Sequence, residues 1–380
     1  MSVMVGSLED PGDRQGLAHF LEHMLFLGTK KYPNVDEYGK YLKTNGGYSN
    51  AYTARDHTNY HFQVLPDGFE GAIDRFSQFF IEPLFTEEYT QREVNAVDSE
   101  HKNYLMNDFW RSFQVSNLFV KDKHPARNFN VGNLETLGDI KREELIEFYK
   151  KHYSSNRMAL SLLSKHSLDQ METWAKKYFI DIENKNLNEN KYDSKVFERK
   201  KTIRIVQIEP VKDIRRMTLS YFVPGVRLQY LQKPSRQLGF ILGHQGEGSL
   251  LSYLKNKGWA TSLYASIRSE TKEYDYAQIR IELTKKGLEE YQKIIEVTHS
   301  YIELMKKAGF QKHVFAELKT MATLEEVYSN KGEGARRAEN IANELNMYNF
   351  KDAGRISYVY GEPNPENFDS LLLFLMIFLI

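Results

Sequence analysis

The sequence contains no cysteine, which excludes disulfide bonds and every metal site that needs thiolate ligands. Any metal must therefore be bound by His, Asp or Glu side chains. The absence of cysteine is compatible with a reducing compartment. The N-terminal residues also lack the basic region, apolar stretch and cleavage motif of a secretory signal. We therefore expect a cytoplasmic protein, with mitochondria and peroxisomes as the alternatives.

The sequence also lacks an excess of one charge, because 51 basic residues balance 51 acidic residues. Nucleic acids and membrane surfaces select basic patches, so neither is expected as a partner. The apolar run at residues 371–380 is too short to span a bilayer. We interpret this run as a sign of a chain interrupted within a domain, with a membrane-surface anchor as the alternative.

The length of 380 residues and the 41% hydrophobic content predict two domains with sizeable cores. Strands and helices are mixed, with hairpins instead of strict alternation, which predicts an α+β fold class. We expect two similar domains, each a mostly antiparallel sheet packed with helices, because the element order repeats after a polar linker. The predicted divisions are residues 1–182 for the first domain, 183–200 for the linker, 201–365 for the second domain and 366–380 for an apolar tail interpreted as a truncation artefact.

The most informative stretch is His-Phe-Leu-Glu-His at residues 19–23. His19 and His23 lie four residues apart, so on a helix both imidazoles share one face and can reach one metal ion, with Glu22 beside them. The order His-x-x-Glu-His is the inverse of the commoner zinc-peptidase motif. Such pairs also occur on helix surfaces, but the apolar neighbours predict a buried helix whose polar groups need partners. In the second domain, His244 starts a similar stretch that lacks the second histidine, so we expect no metal there.

A catalytic zinc ion typically takes three protein ligands, so a third ligand is needed from elsewhere. Spacing alone does not select it, and Glu93, Glu100, His57 and Asp98 are all candidates. Glu93 and Glu100 are the best source, since their separation of seven residues places both on one face of a predicted helix, as ligand and orienting carboxylate. A solvated acidic face is the alternative. Glu22 is then the expected base, which takes a proton from zinc-bound water.

Three stretches, residues 16–33, 57–60 and 93–101, closely resemble the insulysin branch of the pitrilysin-type inverted zincins, a metallopeptidase family. The resemblance covers most of the chain to about residue 330. It implies the pitrilysin-like metallohydrolase fold for both domains. It also implies a zinc site composed of His19, His23 and Glu100 as ligands, Glu22 as the catalytic base and Glu93 as a supporting carboxylate.

The same resemblance implies how a peptide substrate binds. Asn50 and Ala51 would lie on an edge strand that pairs with the substrate backbone by β-augmentation. Four aromatic side chains would line the pocket beside the scissile bond: Phe26, Tyr52, Trp110 and Phe113. Packing in the protein core would explain these aromatic residues equally well.

The predicted function is therefore that of a zinc metalloendopeptidase acting on small hormone-like or amyloid-forming peptides. Members of this family are much longer, and their two halves close over a peptide. The resemblance covers only the first half and begins after its leading strands. Branches with a long acidic insert and the shorter mitochondrial processing peptidases match less closely. The alternative is a catalytically silent peptide-binding half that needs a C-terminal partner half or a homo-oligomer.

Overall fold

The computed structural model describes residues 1–197, 204–330 and 332–377. The chain divides into two compact units. Unit 1 comprises Met1–Lys191 and Asn330–Gly354, and unit 2 comprises Tyr192–Ser329 and Arg355–Ile380. Each unit packs helices against an antiparallel sheet, so the predicted α+β class is confirmed. Within the described ranges, none of the helices combines the length and apolarity needed to traverse a bilayer.

The strands and helices follow one another along the chain with short connections. Up to residue 179 they are β1 (Ser2–Val3), α1 (Leu17–Leu25), α2 (Glu37–Thr44), β2 (Tyr48–Thr53), β3 (Thr58–Gln63), α3 (Phe69–Ser77), α4 (Glu87–Tyr104), α5 (Asp108–Asn117), α6 (Leu134–Leu137), α7 (Arg142–His152), β4 (Met158–Ala159) and α8 (Leu168–Phe179). From residue 216 they are β5 (Arg216–Pro224), α9 (Pro234–Leu242), α10 (Leu250–Asn256), β6 (Ala260–Ser269), β7 (Tyr274–Leu283), α11 (Lys285–Glu289), α12 (Tyr291–Ala308), α13 (Lys312–Tyr328), α14 (Gly334–Met347) and α15 (Pro365–Ile377).

The sheet of unit 1 has the order β2-β3-β1-β4, with every neighbouring pair antiparallel. This order places β2 at an edge of the sheet. Helix α1 is apolar on most sides, and its Phe20, Leu21, Met24 and Leu25 side chains are completely buried. Burial of such side chains contributes roughly 1.5–3 kcal/mol each, so the helix is held firmly in the core. The core therefore fixes α1 beside the edge strand.

The sheet of unit 2 has the order β5-β7-β6, again antiparallel throughout. The apolar run near the C-terminus belongs to α15, whose Phe368, Leu371, Leu372 and Leu375 side chains are buried in the core of this unit. The predicted apolar tail is therefore a core helix as far as residue 377. Residues 378–380 of that prediction lie outside the described residues.

Helix α14 belongs to unit 1, although the sequence division placed residues 201–365 in the second domain. Its Asn343 amide donates to the Tyr52 hydroxyl at 2.7 Å and accepts from Asn59 at 2.8 Å. Its Asn346 amide donates to the Ser2 carbonyl at 2.9 Å. These contacts join residues almost 300 positions apart, which local sequence patterns do not reveal.

The predicted linker at residues 183–200 begins as a strap along unit 1. Lys185 donates to the backbone carbonyls of Lys150 and Tyr153, at 2.8 and 2.9 Å. Asn190 donates to the Glu9 carboxylate at 2.7 Å. The polar composition of this stretch therefore serves hydrogen bonds to unit 1 up to residue 190. Residues 198–200 of the predicted linker lie outside the described residues.

Candidate metal centre

The start of α1 is set by a close backbone approach. Gly16 precedes the helix with a φ of 90°, and a Cβ atom there would lie 2.3 Å from the Gly132 nitrogen. Only glycine permits both that conformation and that contact. The buried Asp10 carboxylate accepts from the Gly16 and Ala18 nitrogens, at 2.8 Å each, and so satisfies N–H groups at the helix start. The approach to Gly132 also brings residue 131 against the helix.

The side chains of His19, His23 and Glu100 converge on one point. The Nε2 atom of each histidine lies 3.7 Å from Glu100 Oε2. The three candidate ligand atoms all lie within 4.8 Å of one another. Across the part of the chain that the structure describes, no other group of three His, Asp or Glu side chains is arranged in this way. The third-ligand position that spacing left open is thus occupied by Glu100.

Hydrogen bonds to the other ring nitrogens orient both imidazoles. The Nδ1–H of His19 donates to the Val131 carbonyl at 2.7 Å. The Nδ1 atom of His23 lies 3.3 Å from Glu93 Oε1, so Glu93 accepts from it. With Nδ1 protonated, each Nε2 presents a lone pair toward Glu100. This is the arrangement in which histidine ligands of a metal are held by a second partner.

The donor set fits zinc. Two imidazole nitrogens and one carboxylate oxygen are ligand types that zinc accepts, and three protein ligands leave one position open for chemistry. Ligand bonds of 2.0–2.2 Å in a tetrahedron separate the ligand atoms by about 3.4 Å. The observed separations of 3.7 Å need only a small inward movement of the side chains.

Local charges give the two histidines opposite tendencies. Burial, followed by repulsion from His23, lowers the pKa of His19, which favours its neutral form. Burial also opposes the charge of His23, but the hydrogen bond to Glu93 and the charges of Glu22 and Glu100 outweigh it and raise the pKa. A carboxylate-rich pocket of this kind attracts a cation.

Glu22 lies beside the histidines, with only 6% of its surface exposed. The Thr53 hydroxyl of β2 donates to Glu22 Oε2 at 2.6 Å. Burial raises the pKa of Glu22 to about 7, although the Thr53 hydrogen bond and His23 act against this rise. A carboxylate with a pKa near 7 is suited to accept and release protons at neutral pH.

The four predicted pocket aromatics lie in different surroundings. Phe26 packs in the core, with its ring 5.1 Å from that of Phe79. The Tyr52 hydroxyl accepts from α14, as described above. Trp110 stacks on the ring of Tyr104 at 4.4 Å, and Phe113 lies under the Arg55 guanidinium. Their contacts thus favour core packing for Phe26, whereas the Trp110 stack connects to Glu100 through the Tyr104 hydroxyl.

The predicted substrate strand is an edge strand in the structure. Asn50 and Ala51 lie in β2, opposite His61 and Tyr60 of β3. Asn50 is exposed, whereas Ala51 packs against the core of unit 1. Since successive side chains of a strand point to opposite faces, Ala51 shares the face of Thr53, which reaches Glu22. The edge strand therefore runs directly beside the candidate metal centre.

Two of the sequence candidates serve other purposes. The Asp98 carboxylate accepts from the Leu134 backbone nitrogen at 3.1 Å, at the start of α6, and pairs with Lys102 at 2.6 Å. His57 lies 2.9 Å from Asp56 through its Nδ1 atom. Neither belongs to the group formed by the two motif histidines and Glu100.

Three contributors to the site were not predicted from the sequence. Tyr104 could have been found from its spacing of four residues from Glu100, and Thr53 from its strand period relative to Ala51. The Val131 carbonyl had no local signal, because any residue carries a backbone carbonyl. It depends on the Gly16–Gly132 approach.

Comparison with known protein families gives two matches along the chain. The family profile described as "Insulinase (Peptidase family M16)" matches residues 1–123, which include the candidate metal centre. The profile described as "Peptidase M16 inactive domain" matches residues 139–322. The two matches place both halves of the chain in one peptidase family.

Individual relatives agree with these profiles. The insulin-degrading enzyme of Homo sapiens is 38% identical over 379 residues, which is 98% of this chain and 37% of that protein. The A-factor-processing enzyme of Saccharomyces cerevisiae is 38% identical over 349 residues, or 90% of this chain and 34% of that protein. This chain thus spans little more than a third of the length of these relatives.

The crystal structure of pitrilysin has the same fold over nearly the whole chain. Its TM-score is 0.91 at 27% sequence identity, and the match covers 98% of this chain and 40% of pitrilysin. The predicted pitrilysin-like fold is therefore confirmed.

Proposed function

This chain belongs to the M16 insulinase family, and we propose that its unit 1 is a zinc-dependent endopeptidase domain that hydrolyses peptide bonds. The observation that carries the proposal is the convergence of His19, His23 and Glu100 beside the buried carboxylate of Glu22. The first three residues would hold the metal ion. The two histidines are already oriented for that role through Val131 and Glu93.

Glu22 would act as the base in this site. Thr53 occupies its Oε2 atom, which leaves Oε1 to take a proton from the attacking water and later to deliver it to the leaving amine nitrogen. A zinc ion in such a site supplies Lewis-acid polarisation of the scissile carbonyl and lowers the pKa of water. Because cations lower the pKa of neighbouring carboxyl groups, Glu22 would be ionised and ready to accept a proton.

The substrate would be an extended peptide. Its backbone would pair with β2 near Asn50 and Ala51, since an edge strand offers unpaired N–H and C=O groups. Pairing through the backbone tolerates many side chains, which suits small peptides of varied sequence, including hormone-like and amyloid-forming ones. Trp110 and Phe113, at the start of α5, would contact substrate side chains.

The test combines metal analysis with a peptide assay. The purified chain should contain about one zinc per molecule and should cleave an internally quenched fluorogenic peptide. Glu22→Gln should keep the zinc and lower the cleavage rate at least about a hundredfold, because general acid–base catalysis is lost. Glu247→Gln changes an exposed glutamate of unit 2 in the same way and should leave the rate unchanged.

Cleavage that does not depend on Glu22 would contradict the proposal, as would a purified chain without zinc. A zinc-bound chain that binds the labelled peptide but does not cleave it would favour the second function, a silent peptide-binding half. The observation behind that alternative is that this chain spans little more than a third of its relatives. Addition of a separately expressed C-terminal half of a relative would then test whether cleavage is restored.

A further inference from the structure

Tyr104 lies one helical turn beyond Glu100, as the last residue of α4. Residues four apart on a helix are neighbours on one face. The Tyr104 hydroxyl donates a hydrogen bond to Glu100 Oε1. The other carboxylate oxygen, Oε2, is the atom that lies 3.7 Å from the Nε2 atoms of His19 and His23. The two oxygens of Glu100 therefore have different partners.

The ring of Tyr104 is held in place by Trp110. The chain turns between α4 and α5, and the Asn107 side chain accepts from the Phe109 nitrogen at 3.0 Å at the start of α5. This turn lays the Trp110 ring on the Tyr104 ring, with centroids 4.4 Å apart and planes inclined by 19°. Aromatic pairs in such a stacked arrangement are favourable beyond their buried area. The hydroxyl thus has little freedom to leave Glu100.

A glutamate with 32% of its side chain exposed would otherwise rotate among several conformations. A carboxylate can also bind a metal ion through both oxygens, which raises the coordination number and fills the open position. A donor fixed on Oε1 opposes both effects, because it restrains the rotation and engages one of the two oxygens. Partners of this kind commonly decide metal affinity.

We propose that Tyr104 is a positioning residue that holds Glu100 as a ligand through Oε2 alone, with Trp110 as the support of its ring. This inference rests on the proposed zinc site. It assigns a function to a side chain outside the His-x-x-Glu-His motif and its two acidic partners. It also gives Trp110 a role that is independent of substrate contact.

The decisive variant is Tyr104→Phe, which removes one oxygen atom and keeps the stacked ring. Zinc affinity would be measured by competition with a chromophoric chelator, and the site would be examined by the visible absorption of bound cobalt(II). We expect affinity to fall about 10- to 100-fold. The cobalt(II) absorption should weaken, because a carboxylate free to bind through both oxygens gives a higher coordination number with weaker bands. The matched control is Tyr89→Phe, on the same helix, which should match the wild type in both measurements.

A second variant separates the hydroxyl from its support. Trp110→Ala keeps the hydroxyl but frees the ring, so its affinity should lie between those of the wild type and Tyr104→Phe. In a Glu100→Ala background the Tyr104→Phe change should have no further effect. Circular dichroism would establish that each variant is folded.

The possible results distinguish this inference from the proposed function. A wild-type chain that binds neither zinc nor cobalt(II) would overturn the metal site and, with it, the positioning role. If the wild type binds both ions and folded Tyr104→Phe has the same affinity and spectrum, the positioning role alone would be overturned. An equal loss in Tyr89→Phe would also overturn it, since the effect would then not depend on Glu100.

Discussion

The two units share one arrangement of strands and helices but differ in chemistry. Each places two helices between a first strand and a hairpin, in the order β1-α1-α2-β2-β3 in unit 1 and β5-α9-α10-β6-β7 in unit 2. Their strand orders, β2-β3-β1 and β6-β7-β5, are also the same. This agreement is what the hypothesis of a duplicated unit expects. The corresponding helices α1 and α9 can therefore be compared directly.

Helix α9 shows what this position needs for folding alone. Its buried side chains include Leu238 and Leu242, and His244 follows the end of the helix as an exposed residue. Helix α1 buries a similar apolar face but adds Glu22 and the two histidines. Each added polar group has a partner from a different element, because buried polar groups without partners are costly. The fold thus supplies a position, and the partners around α1 make it a candidate metal centre.

The largest effect expected from this comparison concerns the histidines. His19→Ala should abolish zinc retention after dialysis, because two remaining ligands do not form a stable catalytic site. His244→Ala, in unit 2, should retain the zinc of the wild type. Metal content measured by atomic absorption checks both. Loss of zinc from the His244 variant would show that the difference between the units has been drawn in the wrong place.

The next effect concerns the glycines that precede helices in each unit. Gly16→Ala requires a left-handed conformation and a Cβ atom 2.3 Å from the Gly132 nitrogen, so the free energy of unfolding should fall by about 3 kcal/mol. Gly248 also has a positive φ, of 78°, but open space around it. Gly248→Ala should therefore cost only about 1 kcal/mol. Urea unfolding of the zinc-free chains measures both values, and equal losses would refute the role of the close approach.

Much of the site could be predicted because it depends on local spacing. The interval of four residues between His19 and His23 and the interval of seven between Glu93 and Glu100 place each pair on one helical face. Spacing could not choose among the candidate third ligands. The family resemblance singled out Glu100, and the structure brings Glu100 to the histidines. The α+β class followed from the mixture of hairpins and helices.

What could not be predicted depends on contacts between distant parts of the chain. The sequence division assigned α14 to the second domain, but Asn343 and Asn346 bind it to the sheet of unit 1. Neither residue belongs to a motif. The packing of Phe26 in the core likewise depends on partners from several elements, such as Phe79. An aromatic residue beside a motif has the same sequence pattern in a core and in a pocket.

The smallest effect tests the partner of the base. Thr53→Val keeps the size of the side chain but removes the donor to Glu22 Oε2, which should lower kcat about tenfold, as expected for a hydrogen bond to a charged group. KM and zinc content should not change, since neither the edge strand nor the ligands are altered. Thr261 of β6 is the control, because its hydroxyl donates only to the Glu282 carbonyl, at an exposed position. Thr261→Val should leave kcat unchanged, and an unchanged kcat in Thr53→Val as well would mean that Glu22 is held in place by its own burial.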